Sequence, residues 1–318
     1  MAEDGRADPT DRQAMFLTYT GMETDLIFTQ GVALPGFAAF ALLETPEGRE
    51  RIQTYYRDLI AIGAQYGLGV ILESPTWVAH RDRAAALGYG AEALAALNRQ
   101  AIDQMCAART LYGDLPTLIS ANIGPRFDAY APQGRMSVAE ADDYHSEQIA
   151  VLAQTQVDLL SGYTLACSNE ASGIVRAAKQ RDLPVVIAFT VETDGRLPTG
   201  ETLQDAIQTV DAATGGYAAY FMINCAHPDH FAETLEDAPW MQRLRGVVAN
   251  ASRCSHAELD DAQELDAGDP VALAQDLSAI ARRFAQISVL GGCCGTDMRH
   301  LAEIAKQAPK DRAVTPPG

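Results

Sequence analysis

Positive charge is scarce in this 318-residue chain: 24 Lys and Arg face 42 Asp and Glu, a formal net charge of −18. That balance lacks the positive field that nucleic acid or an anionic membrane asks of a partner, so neither is expected. No apolar run approaches the roughly 20 residues that span a bilayer. The polar opening Met1–Gln13 has no apolar segment of the secretory kind, so a soluble, cytoplasmic protein is expected. Cysteine is sparse, with six in the chain, which reads as reduced thiols and not as a disulfide framework. No Gly-x-Gly-x-x-Gly follows the first apolar run, which removes support for a dinucleotide-binding open sheet.

What remains is ordinary globular material, 47% hydrophobic and 21% charged, enough for a sizeable core. Eight short apolar runs read as strands: Met15–Thr18, Leu68–Leu72, Thr117–Ala121, Val157–Ser161, Val185–Phe189, Ala219–Asn224, Arg245–Ala249 and Ile287–Gly291. Most are apolar throughout, as strands buried on both faces of a parallel sheet are. Helical patterns lie between them. Glu50–Tyr66 puts Ile52, Tyr56, Leu59 and Ile60 on one face, and Ala91–Leu111 is rich in Ala and Leu. Ser137–Gln156 opens with a capping-box spacing, Ser137 to Glu140. Asn169–Arg181 and Thr202–Ala213 follow; Asp269-Pro270 opens a further helix as N-cap and first turn, and Asp297–Gln307 closes the set. Strands alternating with helices in this number predict a single-domain (β/α)8 TIM barrel over residues 14–307, with tails at 1–13 and 308–318. A doubly wound open sheet is the competing topology.

In such a barrel the chemistry sits where strands end. The first strand ends in Tyr19-Thr20-Gly21, the second in Glu73-Ser74-Pro75-Thr76-Trp77, the third in Asn122 and the fourth in Tyr163-Thr164. The sixth ends in Asn224-Cys225, the seventh in Asn250 and the eighth in Gly291-Gly292-Cys293-Cys294. Cys225, Cys293 and Cys294 therefore share one rim, on strands that are near neighbours in a closed ring. Three thiolates match a catalytic Zn2+ site with three protein ligands and a fourth position open, and soft sulfur favours zinc over magnesium or calcium. Two other readings compete: Cys293–Cys294 as a vicinal redox pair in a non-enzymatic zinc or thiol protein, and Cys225 with His227 and His230 as a different metal set. Cys106, Cys167 and Cys254 read as core filler. His227 and His230 read as solvated, and His80, His145, His256 and His300 as surface or capping residues.

Five segments carry a resemblance: Gly-Met-Glu-Thr-Asp-Leu at 21–26, Asn-Ile-Gly-Pro at 122–125, Val-Asp-Leu-Leu at 157–160, Ile-Asn-Cys at 223–225 and Gly-Gly-Cys-Cys-Gly at 291–295. In this order they resemble the homocysteine S-methyltransferase family, the last two segments most specifically. The resemblance implies a zinc-bearing barrel with Cys225, Cys293 and Cys294 as ligands and the acceptor thiol, homocysteine by default, in the fourth position. The methyl donor would be a small sulfonium or betaine-like compound. A place in methionine biosynthesis follows from the same likeness. The partners would be small molecules, and a homo-oligomer is left open.

Two positions depart from the family pattern. Family members carry Asp-Gly where this chain has Tyr19-Thr20, and Glu-Thr where it has Tyr163-Thr164. Those carboxylates help hold the amino acid's ammonium group, and a phenol near pKa 10 cannot supply that charge at pH 7. Either homocysteine is held by Tyr hydroxyls, backbone carbonyls or other acids such as Glu73 or Glu192, or the acceptor is a thiol without an α-amino group. Tyr19, Trp77 and Tyr163 would suit an onium donor through cation–π contacts of about 0.5–2 kcal/mol each. Ser74, Thr76, Asn122, Thr164, Asn224 and Asn250 are candidates for the acceptor's carboxylate, while Gly21, Gly124 and Gly292 would let the backbone approach a ligand closely.

Overall fold

In the computed structural model, which describes residues 10, 14–111, 113, 115–130, 134–262 and 264–309, eight parallel strands close into a ring in sequence order. They are β1 (Phe16–Leu17), β2 (Gly69–Glu73), β3 (Thr117–Ile123), β4 (Leu159–Leu165), β5 (Val185–Phe189), β6 (Phe221–Asn224), β7 (Leu244–Ala249) and β8 (Val289–Gly292). The short β1 closes the ring, with Phe16 opposite Gly69 on one side and Val289 on the other. The barrel is the predicted one, and no open sheet forms. The expected tails 1–13 and 308–318 lie outside the described residues, apart from Thr10, Ala308 and Pro309.

The helices are α1 (Met22–Thr24), α2 (Pro46–Tyr66), α3 (Arg81–Ala86), α4 (Ala91–Thr110), α5 (Val138–Leu152), α6 (Ser168–Lys179), α7 (Leu203–Thr214), α8 (His256–Asp260), α9 (Pro270–Arg283) and α10 (Met298–Gln307). Between β6 and β7 three short 3-10 turns take the place of a helix. Local chemistry explains the boundaries. Thr45 accepts from Gly48 N to start α2, one turn ahead of the expected Glu50, because Pro46 suits the first turn. Ser137 and Glu140 form the predicted capping box, and Asp269 caps α9 ahead of Pro270; such caps contribute about 1 kcal/mol each. On α2, Ile52, Tyr56, Leu59 and Ile60 are buried against the barrel, and full burial of one such aliphatic chain stabilises by roughly 1.5–3 kcal/mol.

Inside the ring, Phe16, Ile71, Val186, Met222 and Val289 belong to one apolar cluster. Among them, Ser120 and Ser161 hydrogen-bond each other, Ser161 Oγ donates to Glu73 Oε1 at 3.0 Å, and Thr18 Oγ1 donates to the Ile71 carbonyl at 3.2 Å. The barrel thus turns polar just beneath its mouth. No helix among the described residues is long and apolar enough to cross a membrane.

Candidate active site and metal centre

The mouth of the barrel opens into a cavity of about 250 Å³, at the small end of ligand pockets and suited to small molecules. Cys225, Cys293 and Cys294 all line it. Their three Sγ atoms lie within 4.8 Å of one another, with Cys225 Sγ 3.6 Å from Cys294 Sγ. Ligands at the usual Zn–S distance of about 2.3 Å in a tetrahedron sit about 3.8 Å apart, so the set fits a zinc ion. The three sulfurs also compete for protons: the Cys225 thiol is held well below the usual thiol range by the Cys293 and Cys294 thiols, and those two are pushed well above it by Cys225. His227 and His230 do not join them. His227 caps a 3-10 turn through Asp229 N, and His230 Nε2 meets the Arg253 carbonyl at 2.9 Å.

Backbone geometry brings the cysteines together. Cys225 follows β6 at a φ of +57°, a left-handed conformation uncommon outside glycine and asparagine. Its carbonyl is fixed by Asn250 Nδ2 at 3.1 Å and by His256 Nε2 at 2.6 Å. Cys293 N donates to the Ala249 carbonyl at 2.7 Å, and Ala251 N donates to the Cys294 carbonyl at 3.0 Å. Gly21 presses on the same loop; a Cβ there would stand 2.3 Å from the Cys293 carbonyl oxygen. Only glycine permits that approach.

A second ring of contacts was not foreseen from the sequence. The Tyr130 hydroxyl lies 2.8 Å from Cys225 Sγ, and its ring lies 4.0 Å, centroid to centroid, from His256. His256 Nδ1 meets Glu192 Oε1 at 3.3 Å. Tyr130 sits in the long segment between β3 and α5, where no periodicity marks a position; the length of that connection was the available signal. His256 is the first residue of α8, a helix whose Ser255–Glu258 capping box is readable in sequence.

The remaining expected site residues divide. Tyr19, Gly21, Asn122, Tyr163, Asn224 and Asn250 line the cavity; Thr20, Glu73, Ser74 and Thr76 do not. Thr20 N is bound to the Tyr55 hydroxyl at 2.8 Å, and Ser74 and Thr76 brace each other and the backbone of Asn122. Asn224 is committed to Thr164, accepting from its N–H at 2.9 Å and donating to its Oγ1 at 2.8 Å. Thr164 needs this clamp, because its φ is +60°. Asn122 Oδ1 and Asn250 Oδ1 are buried acceptors without a hydrogen-bond partner among the described residues, and so are ready to receive a ligand's donor. Glu73 lies under the floor, 2% exposed, and burial pushes its carboxyl up to about 8 against the pull of the Ser120, Ser161, Tyr163 and Thr18 hydroxyls.

Several residues lie where the sequence did not place them. His80, His145, His227 and His256 are buried, not surface groups. His145 Nε2 meets Glu170 Oε1 at 2.9 Å because α5 packs against α6, and His80 Nδ1 meets the Tyr144 hydroxyl at 2.7 Å. His300 does cap, as the third residue of α10. Cys106 is half-buried and packs against the main core, as expected of filler; Cys254 is exposed in the β7–α8 loop and Cys167 is half-buried at the N-cap of α6, so neither of these two is core filler.

A family model described as homocysteine S-methyltransferase matches residues 19–308. Selenocysteine Se-methyltransferase of Brassica oleracea var. italica is 23% identical over 309 residues, covering 88% of this chain and 84% of that protein. Homocysteine S-methyltransferase 2 of Arabidopsis thaliana is 22% identical over 311 residues, covering 88% of each. The homocysteine methyltransferase MmuM of Escherichia coli, in a metallated crystal form, superposes with a TM-score of 0.71 at 19% identity, covering 93% of this chain and 96% of that one. At that identity the likeness establishes the fold.

Proposed function

The chain belongs to the homocysteine S-methyltransferase family, enzymes of methyl transfer to a thiol, and on that premise we propose that it moves a methyl group from a small sulfonium or betaine-like donor to homocysteine, with Zn2+ held by Cys225, Cys293 and Cys294. The observation that carries this reading is the convergence of the three Sγ atoms within 4.8 Å at the cavity wall. When bound there, the ion would supply the charge that keeps an acceptor thiol deprotonated at neutral pH.

The protein's own residues do the rest. Asn250 and His256 grip the Cys225 carbonyl and hold its sulfur against the cavity. The rings of Tyr19 and Tyr163, with centroids 6.1 Å apart, and the indole of Trp77 line the cavity; there they exclude water and face a cationic donor. In the transfer the acceptor sulfur forms a bond to the methyl carbon as the bond from that carbon to the cationic sulfur or nitrogen breaks. The bonding pair goes to the leaving atom, which departs neutral. No protein acid or base has to touch the methyl group; alignment of the three atoms is the main contribution. The competing acceptor is a thiol without an α-amino group, a reading that Tyr19 and Tyr163 in the wall favour.

The test is methyl transfer by the metal-loaded full chain from S-methylmethionine and glycine betaine, with homocysteine and 4-mercaptobutyrate as acceptors and the product read by mass spectrometry. Methionine formation, lost with the metal on chelation and restored by zinc, is expected. Undiminished transfer by metal-free protein rejects the zinc role; transfer to no thiol rejects the function.

A further inference from the structure

The acids of the pocket differ in position. Asp260, Glu264 and Asp266 are exposed on its outer lip, whereas Glu23 is half-buried in the inner wall on the single turn of α1. That turn is tied to the cysteine loop at three points. Gly21 N donates to Thr296 Oγ1 at 3.0 Å, Gly295 N donates to Thr24 Oγ1 at 3.1 Å, and Gly292 N donates to the Tyr19 carbonyl at 2.9 Å. These bonds fix the backbone on either side of Glu23 against the cysteine loop. The Tyr19 hydroxyl donates to its carboxylate, so the side chain is braced as well. No Lys or Arg lines the cavity among the described residues, which leaves this carboxyl without a protein cation. Burial pushes it up to about 7, and a cation set against it would favour the charged form. The acidic lip adds an attractive field for a positive ligand on its way in.

We propose that Glu23, braced by Tyr19 in the cavity that Tyr19 and Tyr163 also line, is the specificity-determining residue that receives an organic cation, an ammonium or onium group on a ligand lying within the same cavity as the cysteines. The inference rests on the methyl-transfer reading, in which both ligands carry such a group: the α-ammonium of an amino-acid acceptor and the onium centre of the donor. Position 23 then supplies the negative charge that positions 19 and 163 lack.

The experiment is calorimetric titration of the full chain and of Glu23→Gln with homocysteine, 4-mercaptobutyrate, glycine betaine and dimethylsulfoniopropionate, with the metal content of both proteins matched. Glu23→Gln is expected to weaken a cationic ligand by roughly tenfold to 100-fold, the usual effect of a charge-assisted bond, and to leave 4-mercaptobutyrate within about twofold. A loss confined to homocysteine assigns the subsite to the acceptor's ammonium; a loss confined to the betaine and sulfonium ligands assigns it to the donor. Unchanged affinity for every cationic ligand, an equal loss for 4-mercaptobutyrate, or no cation binding by the unaltered chain overturns the proposal. Should Glu23→Gln not fold, Glu23→Asp carries the test: retracting the carboxylate by one methylene is expected to weaken the cationic ligands severalfold and spare the deaminated thiol, and equal affinities overturn it. Methyl transfer is assayed separately. Cation binding that depends on Glu23, without transfer to any thiol, would reject the proposed function and leave the subsite standing.

Discussion

The two walls of the barrel mouth are built on different principles. On the side of β6, β7 and β8, sulfur and backbone dominate: three cysteines, with Cys225 in a left-handed conformation and its carbonyl gripped by both Asn250 and His256. On the side of β1, β3 and β4 the wall is aromatic and amide, with Tyr19, Asn122, Tyr163 and the carboxyl of Glu23, which Tyr19 holds. The first wall carries the Ile-Asn-Cys and Gly-Gly-Cys-Cys-Gly segments of the resemblance; the second carries tyrosine at positions 19 and 163, where that resemblance leads one to expect acids. The contrast separates two tasks. Activating a thiol needs one geometry whatever the rest of the ligand, so the sulfur wall has little room to vary. Recognising the remainder of the ligand can be achieved with several side-chain sets, and this chain uses its own.

That division can be broken most sharply at Cys294. Cys294→Ala is expected to lose the metal and to lower transfer at least about 1,000-fold, consistent with the removal of a ligand that only the sulfur wall supplies. Its melting temperature should stay within a few degrees; metal analysis with a thermal melt checks this, and global unfolding would make the site structural. One shell out, His256→Ala should weaken metal affinity by about 10- to 100-fold, the usual effect of removing a partner that orients a ligand, read by competition with a chromogenic chelator. An unchanged affinity would return His256 to the status of a packing residue.

The polar floor beneath the aromatic wall is probed through pH. Glu73 has a folded pKa raised from 4.5 to about 8, so between those values the folded state holds more protons than the unfolded one and stability falls as pH rises. His80, pushed down to about 3 by burial, opposes this only below its unfolded value of 6.5. Between pH 6.5 and 8 the Glu73 contribution alone is on the order of 2 kcal/mol. Urea unfolding of the unaltered chain and of Glu73→Gln across that window should show a loss in the former that is smaller in the latter; parallel curves would mean that Glu73 ionises freely. The smallest expected effect is that of Tyr19→Phe, which removes one hydroxyl from Glu23. A rise in KM for the cationic ligand of tenfold or less, with kcat nearly constant, is anticipated from steady-state kinetics. A fall in kcat alone would place Tyr19 with the sulfur wall.

Much of this was legible in the sequence, and the limits are instructive. Strands buried on both faces leave unbroken apolar runs, so all eight were visible, and β5 has the predicted ends. β4 runs to Leu165, beyond the expected Ser161, because the register shifts between Gly162 and Leu165 around the left-handed Thr164, a feature without a composition signal. The cysteines were legible because each ends a strand and the ring brings sixth and eighth strands together. Glu23 was visible in the segment after the first strand but without a role; Tyr130 and the buried histidines were not legible. Their places depend on how loops fold over the barrel mouth and how α5 lies on α6, and short-range patterning does not encode either.

The backbone at Cys225 has a practical consequence for redesign. Among residues with a side chain, aspartate, asparagine and histidine enter the left-handed region most readily, so Cys225→Asp would keep the main-chain course while exchanging a soft donor for a hard one. With Cys293 and Cys294 still in place, such a variant would weaken the affinity for a soft-donor ion without a full change of ion class, which makes this position the place to ask how much one sulfur contributes.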